Sequence, residues 1–190
     1  RSKNSSVQAR IFKGVRGKSV DYHPEKESLV FATSVGVFLQ TPTHQRELYQ
    51  NKESIYANDV TWIGDELYIL DTKGKLLRMT SDSIVGCVND EVGIVHDEFK
   101  RIKKYNHELL MIGSHSASLY DTKMRRLVHS SSNIGNTVVM DAIKDRDTLI
   151  LLTKEGLLEY PLKSNMDTTA VRFYINSVEV NGIEQVWEKQ

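Results

Sequence analysis

The chain has 190 residues, with 25 lysines and arginines against 25 aspartates and glutamates and an apolar fraction of 39%. These values suit a folded chain with one ordinary core and argue against disorder. The balanced charge provides no global field for nucleic acid or an anionic membrane, and no apolar run approaches the roughly 20 residues that span a bilayer.

The chain opens Arg1-Ser2-Lys3-Asn4-Ser5-Ser6 with no apolar segment behind it, so no signal peptide is read there and the start is expected to be a cut inside a longer protein. Asn4-Ser5-Ser6 also fits a glycosylation acceptor, a match that chance produces easily. Val7, Ala9 and Ile11 alternate loosely, and residues 1–16 are expected to supply one strand. That strand either belongs to a preceding repeat or completes the last one.

From Gly17 onward one pattern occurs four times. It begins with a short strand: Ser19–Tyr22, Asp59–Trp62, Arg101–Tyr105 and Asp141–Lys144. A polar turn follows at His23–Ser28, Gly64–Glu66, Asn106–Glu108 and Asp145–Asp147. Next comes an apolar hairpin at Leu29–Leu39, Leu67–Leu77, Leu109–Leu119 and Leu149–Tyr160. Gly36, Gly74 and Gly156 supply the positive φ that such turns need, and Ser116 stands in the third copy. A more polar strand ends each unit, at Arg46–Gln50, Ser83–Val88, Arg125–His129 and Val171–Ile175. Val92–Lys104 comes nearest to a helical period, but Gly93 and the flanking charges count against a helix.

The leading residues Leu29, Leu67, Leu109 and Leu149 recur at intervals of 38, 42 and 40 residues. A repeat of about 40 residues built from short strands is the period of a β-propeller blade. One four-stranded unit cannot bury both of its faces, whereas units stacked face to face can, and the continuous apolar hairpin strands agree with sheets covered on both sides. The expected fold is an all-β β-propeller with blades at 17–53, 54–96, 97–136 and 137–170. Propellers carry about four to eight blades. Together with the abrupt start, this favours the tail of a larger propeller over a native four-bladed ring.

Few motifs suggest chemistry. Gly14-Val15-Arg16-Gly17-Lys18-Ser19 ends like a phosphate loop, but two residues separate its glycines where the loop needs four, and no helix follows; a turn between blades is expected. Among His23, His44, His96, His107, His115 and His129 none pairs at a metal-ligand spacing. Cys87 stands alone and leaves the redox compartment open, so neither metal nor cofactor is expected. Asp65–Glu66, Asp90–Glu91 and Asp97–Glu98 are sequence neighbours, which point to opposite faces of a strand, and Asp145 and Asp147 sit in a turn where aspartate bonds backbone. No serine or cysteine occupies a nucleophile elbow, so no catalytic residue is expected. Lys100–Tyr105 reads as a solvated strand end more readily than as a nucleic-acid contact. Tyr22, Trp62 and Tyr105 close the first strand of three successive units, either as packing between sheets, the commoner role, or as a platform for sugar rings.

The string Phe173-Tyr174-Ile175-Asn176-Ser177-Val178-Glu179-Val180-Asn181-Gly182 resembles the opening of the three-tyrosine (Y_Y_Y) domain, which follows a regulator-type propeller in bacterial sensors. With Leu149–Pro161 and Gly17–Pro24, the chain resembles the periplasmic part of a propeller-type two-component sensor histidine kinase, or of a hybrid sensor-regulator. The resemblance is sharp over 171–182 and runs at blade level elsewhere. It departs from the usual blade signature, which Asp65–Asp71 and Leu109–Gly113 only approximate.

The resemblance implies a periplasmic, non-enzymatic sensing region that binds an oligosaccharide, forms a homodimer in the full receptor, contacts no nucleic acid and reaches the membrane only through a segment beyond this chain. Residues 171–190 would supply the last strand and begin a β-sandwich. Topology places the expected ligand residues on the face of the hairpin turns: Asp71, Lys73, His115, Asn133, Asn136 and Lys154, with Tyr22 or Trp62 as stacking surfaces. One rival is a scaffold that dimerises through exposed sheet faces. Another is a propeller glycoside lyase or hydrolase with Asp21, Asp59, Lys103 and Asp141 on the central channel, for which no closed set of roles emerges.

Overall fold

The computed structural model describes residues 14–80, 83–94, 99–131 and 137–162, together with the backbone of 178–180 and 183–185. Four antiparallel sheets follow one another along the chain, each laid down strand by strand from its first member. Blade 1 contains β1 (Gly17–His23), β2 (Ser28–Thr33), β3 (Val37–Gln40) and β4 (Gln45–Glu47). A small hairpin of β5 (Tyr49–Gln50) and β6 (Glu53–Ser54) leads to blade 2, made of β7 (Ala57–Ile63), β8 (Glu66–Asp71), β9 (Leu76–Thr80) and β10 (Ser83–Cys87). A single helical turn, α1 (Val88–Glu91), precedes blade 3: β11 (Phe99–Tyr105), β12 (Glu108–Gly113), β13 (Ala117–Asp121) and β14 (Arg126–Ser131). Blade 4 pairs β15 (Val139–Asp145), β16 (Thr148–Thr153) and β17 (Gly156–Pro161). The strand expected at Val171–Ile175 lies outside the described residues. The backbone of β18 (Val178–Val180) pairs with that of β19 (Ile183–Gln185) as a separate hairpin.

The all-β propeller expectation is met, and the reason is visible residue by residue in the second strand of each blade. In β8, Leu67 and Ile69 join a core cluster with Val30, Ala32, Val37 and Leu39 of blade 1, while Tyr68 and Leu70 join Phe99, Ile102, Leu109 and Met111 of blade 3. In β12 the same alternation sends Leu109 and Met111 back toward blade 2 and Leu110 and Ile112 on to Val139, Ala142, Leu149 and Leu151 of blade 4. Successive side chains of a strand point to opposite faces, so an unbroken apolar run is what a sheet clamped between two others requires. The end blades show the converse. Leu149 and Leu151 are fully buried against blade 3, whereas Leu152 is 47% exposed on the outward face of blade 4. Leu151→Ala is therefore expected to cost about 3 kcal/mol and Leu152→Ala less than about 0.5. Urea unfolding midpoints of the two variants check this, and a comparable loss at both positions would contradict blade stacking as described.

The hairpin turns are built alike. Thr33 and Thr153 each donate their hydroxyl to the carbonyl of a glycine three residues on, Gly36 and Gly156, at 2.9 Å. In blade 2 Asp71 takes that place and accepts the amides of Lys73 and Lys75, both at 2.8 Å, and Gly74 holds φ of 82°. A side chain there would pay the left-handed cost that glycine escapes.

Several element ends shift by a residue or two from the sequence reading, and two places depart from it for a visible reason. The outer strand of blade 1 stops at Glu47 rather than Gln50, because Leu48 turns inward to the core while its amide bonds the Val37 carbonyl at 2.8 Å. Tyr49 and Gln50 then enter the small hairpin, whose turn residues Asn51 and Lys52 have φ of 51° and 70°. The stretch nearest to a helical period, Val92–Lys104, gives β11 at its end, and the helical turn lies earlier, at Val88–Glu91. Its anchor is Asn89, whose Oδ1 accepts the Leu76 amide at 2.7 Å and whose Nδ2 donates to the Gly74 carbonyl at 3.3 Å.

All four first strands also share a register shift, at Gly17/Ser19, Ala57/Asp59, Phe99/Arg101 and Val139/Asp141. Each is a β-bulge, which inserts one residue and re-aims its side chain. The inserted residues are Lys18, Asn58, Lys100 and Met140.

Candidate binding grooves at the two ends of the blades

The polar side chains of the first strands reach across blade boundaries. Ser19 Oγ of β1 donates to Asp59 Oδ1 of β7 at 2.5 Å, and Asp59 Oδ2 accepts the Ile102 amide of β11 at 3.0 Å. Asp21 Oδ2 accepts Thr61 Oγ1 at 2.9 Å, the Trp62 amide at 2.8 Å and Lys104 Nζ of β11 at 2.6 Å, which joins the first blade to the third. Asp141 of β15 receives Lys103 Nζ at 2.8 Å, and Lys103 also donates to the Ala142 carbonyl at 2.9 Å. Lys144 of β15 pairs with Glu108 of β12. Burial pushes the Asp21 and Asp141 carboxyls up, but the facing lysines, with the Trp62 and Ala142 amides, outweigh it and hold both below the ordinary aspartate value. Asp21, Asp59 and Asp141 thus serve as ties between blades.

The strands present two ends. At one, the residue pairs Gly17–Thr33, Ala57–Asp71, Phe99–Gly113 and Val139–Thr153 bring the starts of the first strands beside the hairpin turns. A groove of about 590 Å³ opens there, lined by Arg16, Gly17, Lys18, Asn58, Thr72, Gly74, Phe99 and Lys100. Three of the bulge residues are in that lining. Beside blade 2, a second groove of about 510 Å³ is lined by Asp71, Lys73, Tyr56, Glu53 and neighbouring residues.

At the other end lies a smaller groove of about 250 Å³ bounded by Tyr22, His23, Pro24, Glu25, Trp62, Gly64, Asp65 and Lys104. Tyr22 is 50% exposed. Trp62 packs one side against the core of blades 1 and 2, meets the His23 ring edge-on at 5.2 Å, and carries Lys26 Nζ 5.2 Å from its ring centroid. Its indole Nε1 is buried and has no hydrogen-bond partner among the described residues.

The residues singled out in the sequence divide between these ends. Asp71, Lys73, His115 and Lys154 lie at the hairpin-turn end, as expected from topology. Asp71 is occupied with its own turn, and His115 Nδ1 lies 2.9 Å from the Thr137 carbonyl. Asn133 and Asn136 fall outside the described residues. Tyr22 and Trp62 stand at the opposite end and share one groove, so the eight residues do not form one site. Tyr105 is packing: its side chain borders the core of blades 3 and 4, and its hydroxyl accepts the Lys144 amide at 3.1 Å. The bulges and the groove they line have no period-2 or glycine signal in the sequence. Their trace is the polar or charged residue two places before Val20, Val60 and Ile102. Among the described residues no cluster of three metal-binding side chains occurs, and no helix is long and apolar enough to cross a membrane.

The fold matches solved β-propellers. No protein-family model and no curated protein matches the chain. It is similar in structure to PorZ, a bacterial surface component of the type-IX secretion system of Porphyromonas gingivalis, with TM-score 0.59 and 14% identity over 82% of this chain and 21% of PorZ. The WD40 β-propeller domain of Doa1 gives TM-score 0.53 and 15% identity over 77% of this chain and 51% of that one. BamB from Moraxella catarrhalis gives 0.54 and 13% over 77% and 50%. This chain therefore spans about half or less of each of these propeller chains, and at these identities the likeness is one of fold.

Proposed function

We propose that this chain is the propeller part of an extracytoplasmic sensor of the two-component class and that it recognises an oligosaccharide without chemically changing it. The observation that carries the reading is the division of labour among polar side chains. Asp21, Asp59 and Asp141 are consumed in ties between blades, while the open grooves are lined by cations from more than one blade and, at one end, by the exposed Tyr22 and half-buried Trp62. Tyr22 and Trp62 converge on one groove with Lys104 and Asp65 beside them, the mix of ring faces and polar groups that sugars use. The resemblance of residues 173–182 to a three-tyrosine domain supports the sensor context. A ligand held between blades would bias a two-state coupling to a kinase in the full receptor. Calorimetric titration of the chain with a panel of neutral and acidic glycans tests this. Binding that Tyr22→Ala weakens by about tenfold is the expected result; no heat with any glycan, together with a full receptor that still responds, would remove this region from recognition.

A second reading, a scaffold that associates through its end blades, is favoured by the outward face of blade 4. Ile143 is 46%, Leu152 47% and Leu157 67% exposed there, with Ile150 half-buried between them. Light scattering decides for this chain: a strict monomer at high concentration argues against it.

A further inference from the structure

We propose that the groove lined by the bulges is an anion site, one that takes a small ligand bearing carboxylate, sulfate or phosphate groups. The inference rests on the reading of the chain as a recognition module and names the charge of what it recognises at this end.

Some of the described cations of this molecule are ion-paired, Arg125 with Glu66 among them, and others are not. Lys26, Arg78, Arg101, Lys103, Lys104 and Lys144 each have a carboxylate within ion-pair distance. Arg16, Lys18 and Lys100 have none among the described residues; other cations such as Lys75, Lys123 and Lys154 share that state, but these three line one groove. Lys18 Nζ donates to Asn58 Oδ1 at 3.4 Å, a neutral partner that leaves its charge unbalanced. Among the described residues no aspartate or glutamate belongs to the lining. Three like charges gathered in one concavity repel one another, and an anion entering it removes that repulsion. The chain as a whole is neutral, so this field is local to the groove rather than a property of overall composition.

Placement is built into the fold. Lys18, Asn58 and Lys100 come from three different blades, yet each is the inserted residue of the same bulge in its first strand. Bulges commonly re-aim a side chain beside a functional site. The repeated backbone irregularity thus delivers a cation, an amide and a second cation to the end of the axis. Arg16 adds a third charge from the segment before β1, whose carbonyl is held by the Ser34 amide at 2.8 Å. Gly17 and Gly74 leave the lining open beside Phe99, and the volume of about 590 Å³ suits a small molecule. Two sequence features that carry no chemistry separately, the imperfect glycine loop at 14–19 and the basic stretch at 100–105, meet in this one place.

Titration calorimetry with citrate, inorganic pyrophosphate, a sulfated disaccharide and its unsulfated parent tests the assignment and separates the carboxylate, phosphate and sulfate sources. At least one anion is expected to bind, with the unsulfated sugar inert at this groove. In Lys18→Gln/Lys100→Gln its affinity should fall by about tenfold or more. Raising salt from about 50 mM to about 500 mM should weaken binding to the parent chain far more than to the variant. Both lysines lack ion pairs among the described residues, so the variant's unfolding midpoint should equal that of the parent; Arg16→Gln provides an independent variant with the same expectation. No heat from any of the anions, or affinities that neither substitution changes, would overturn the site. If neutral glycans bind and these anions do not, this inference falls while the sensor reading stands. If an anion binds through Lys18 and Lys100 while Tyr22→Ala and the neutral glycans are silent, the reverse holds.

Discussion

Replacing Arg78 by methionine is expected to destabilise the chain by about 3 kcal/mol, measured as the shift in urea unfolding free energy at neutral pH. Arg78 on β9 is 5% exposed and lies between two carboxylates. Its Nη1 donates to Glu66 Oε1 at 3.0 Å and its Nη2 to Glu91 Oε1 at 2.8 Å, so it ties the second strand of blade 2 to the helical turn α1. Glu66 Oε2 in turn accepts the hydroxyl of the fully buried Tyr68 at 2.8 Å. Burial lowers the guanidinium's affinity for its proton, but the two glutamates outweigh that and keep it charged. Removing the cation leaves two carboxylates, with side chains 20% and 29% exposed, and only the exposed Arg125, 3.4 Å from Glu66 Oε1, to offset them. The triple variant Arg78→Met/Glu66→Gln/Glu91→Gln should regain most of the loss, because a neutral set imposes no charge-burial penalty. Failure of the single variant to lose stability, or of the triple to recover it, would show that the cluster is not the anchor of α1.

Asp21→Asn is expected to cost about 2 kcal/mol at neutral pH and to flatten the acid limb of the stability curve. The carboxylate satisfies the Trp62 amide, the Thr61 hydroxyl and Lys104 at once, and an amide oxygen can accept from the lysine but brings no charge to balance it. Its folded pKa lies below the ordinary value of 3.8. A carboxyl with a depressed folded pKa contributes stability that is fully present above the unfolded value and drains away as pH falls through the folded one. Asp141 and Asp121 are depressed as well. In both, burial opposes the shift and is outweighed, by Lys103 for Asp141 and by the Met124 and Lys123 amides for Asp121. The parent chain should therefore lose stability below about pH 4, and Asp21→Asn/Asp141→Asn should lose distinctly less over that same interval. Unfolding midpoints recorded from neutral pH to about pH 2 check this; equal slopes for parent and variant would rule out these two carboxylates as the acid-sensitive ties.

Both predictions concern residues whose role the linear pattern does not disclose. Arg78 sits in the run Leu76-Leu77-Arg78-Met79, where it reads as an interruption of an apolar strand. It is buried because its partners come from Glu66, one strand back, and from Glu91, beyond the next strand. Asp21 was visible as an acid on a first strand, but its lysine is 83 positions away. The hairpins are the opposite case. Thr33-Ser34-Val35-Gly36 and Thr153-Lys154-Glu155-Gly156 specify their own turns through hydroxyl and glycine alone, so four residues suffice to place them.

What the order of residues determined was the repeat itself: apolar runs at intervals of 38, 42 and 40, closed by local turns, which bury themselves only if each sheet is stacked on the next. Local bonding and alternation act between near neighbours, and those relations are written in the chain. The tertiary structure alone decided which faces stay open, which charges cancel and which converge. Whether Lys104 meets Asp21, while Lys18 and Lys100 meet no acid among the described residues, depends on how three bulged strands from separate blades are brought together. Electrostatic balance is set by distance in space, which the linear spacing of like and unlike charges does not record.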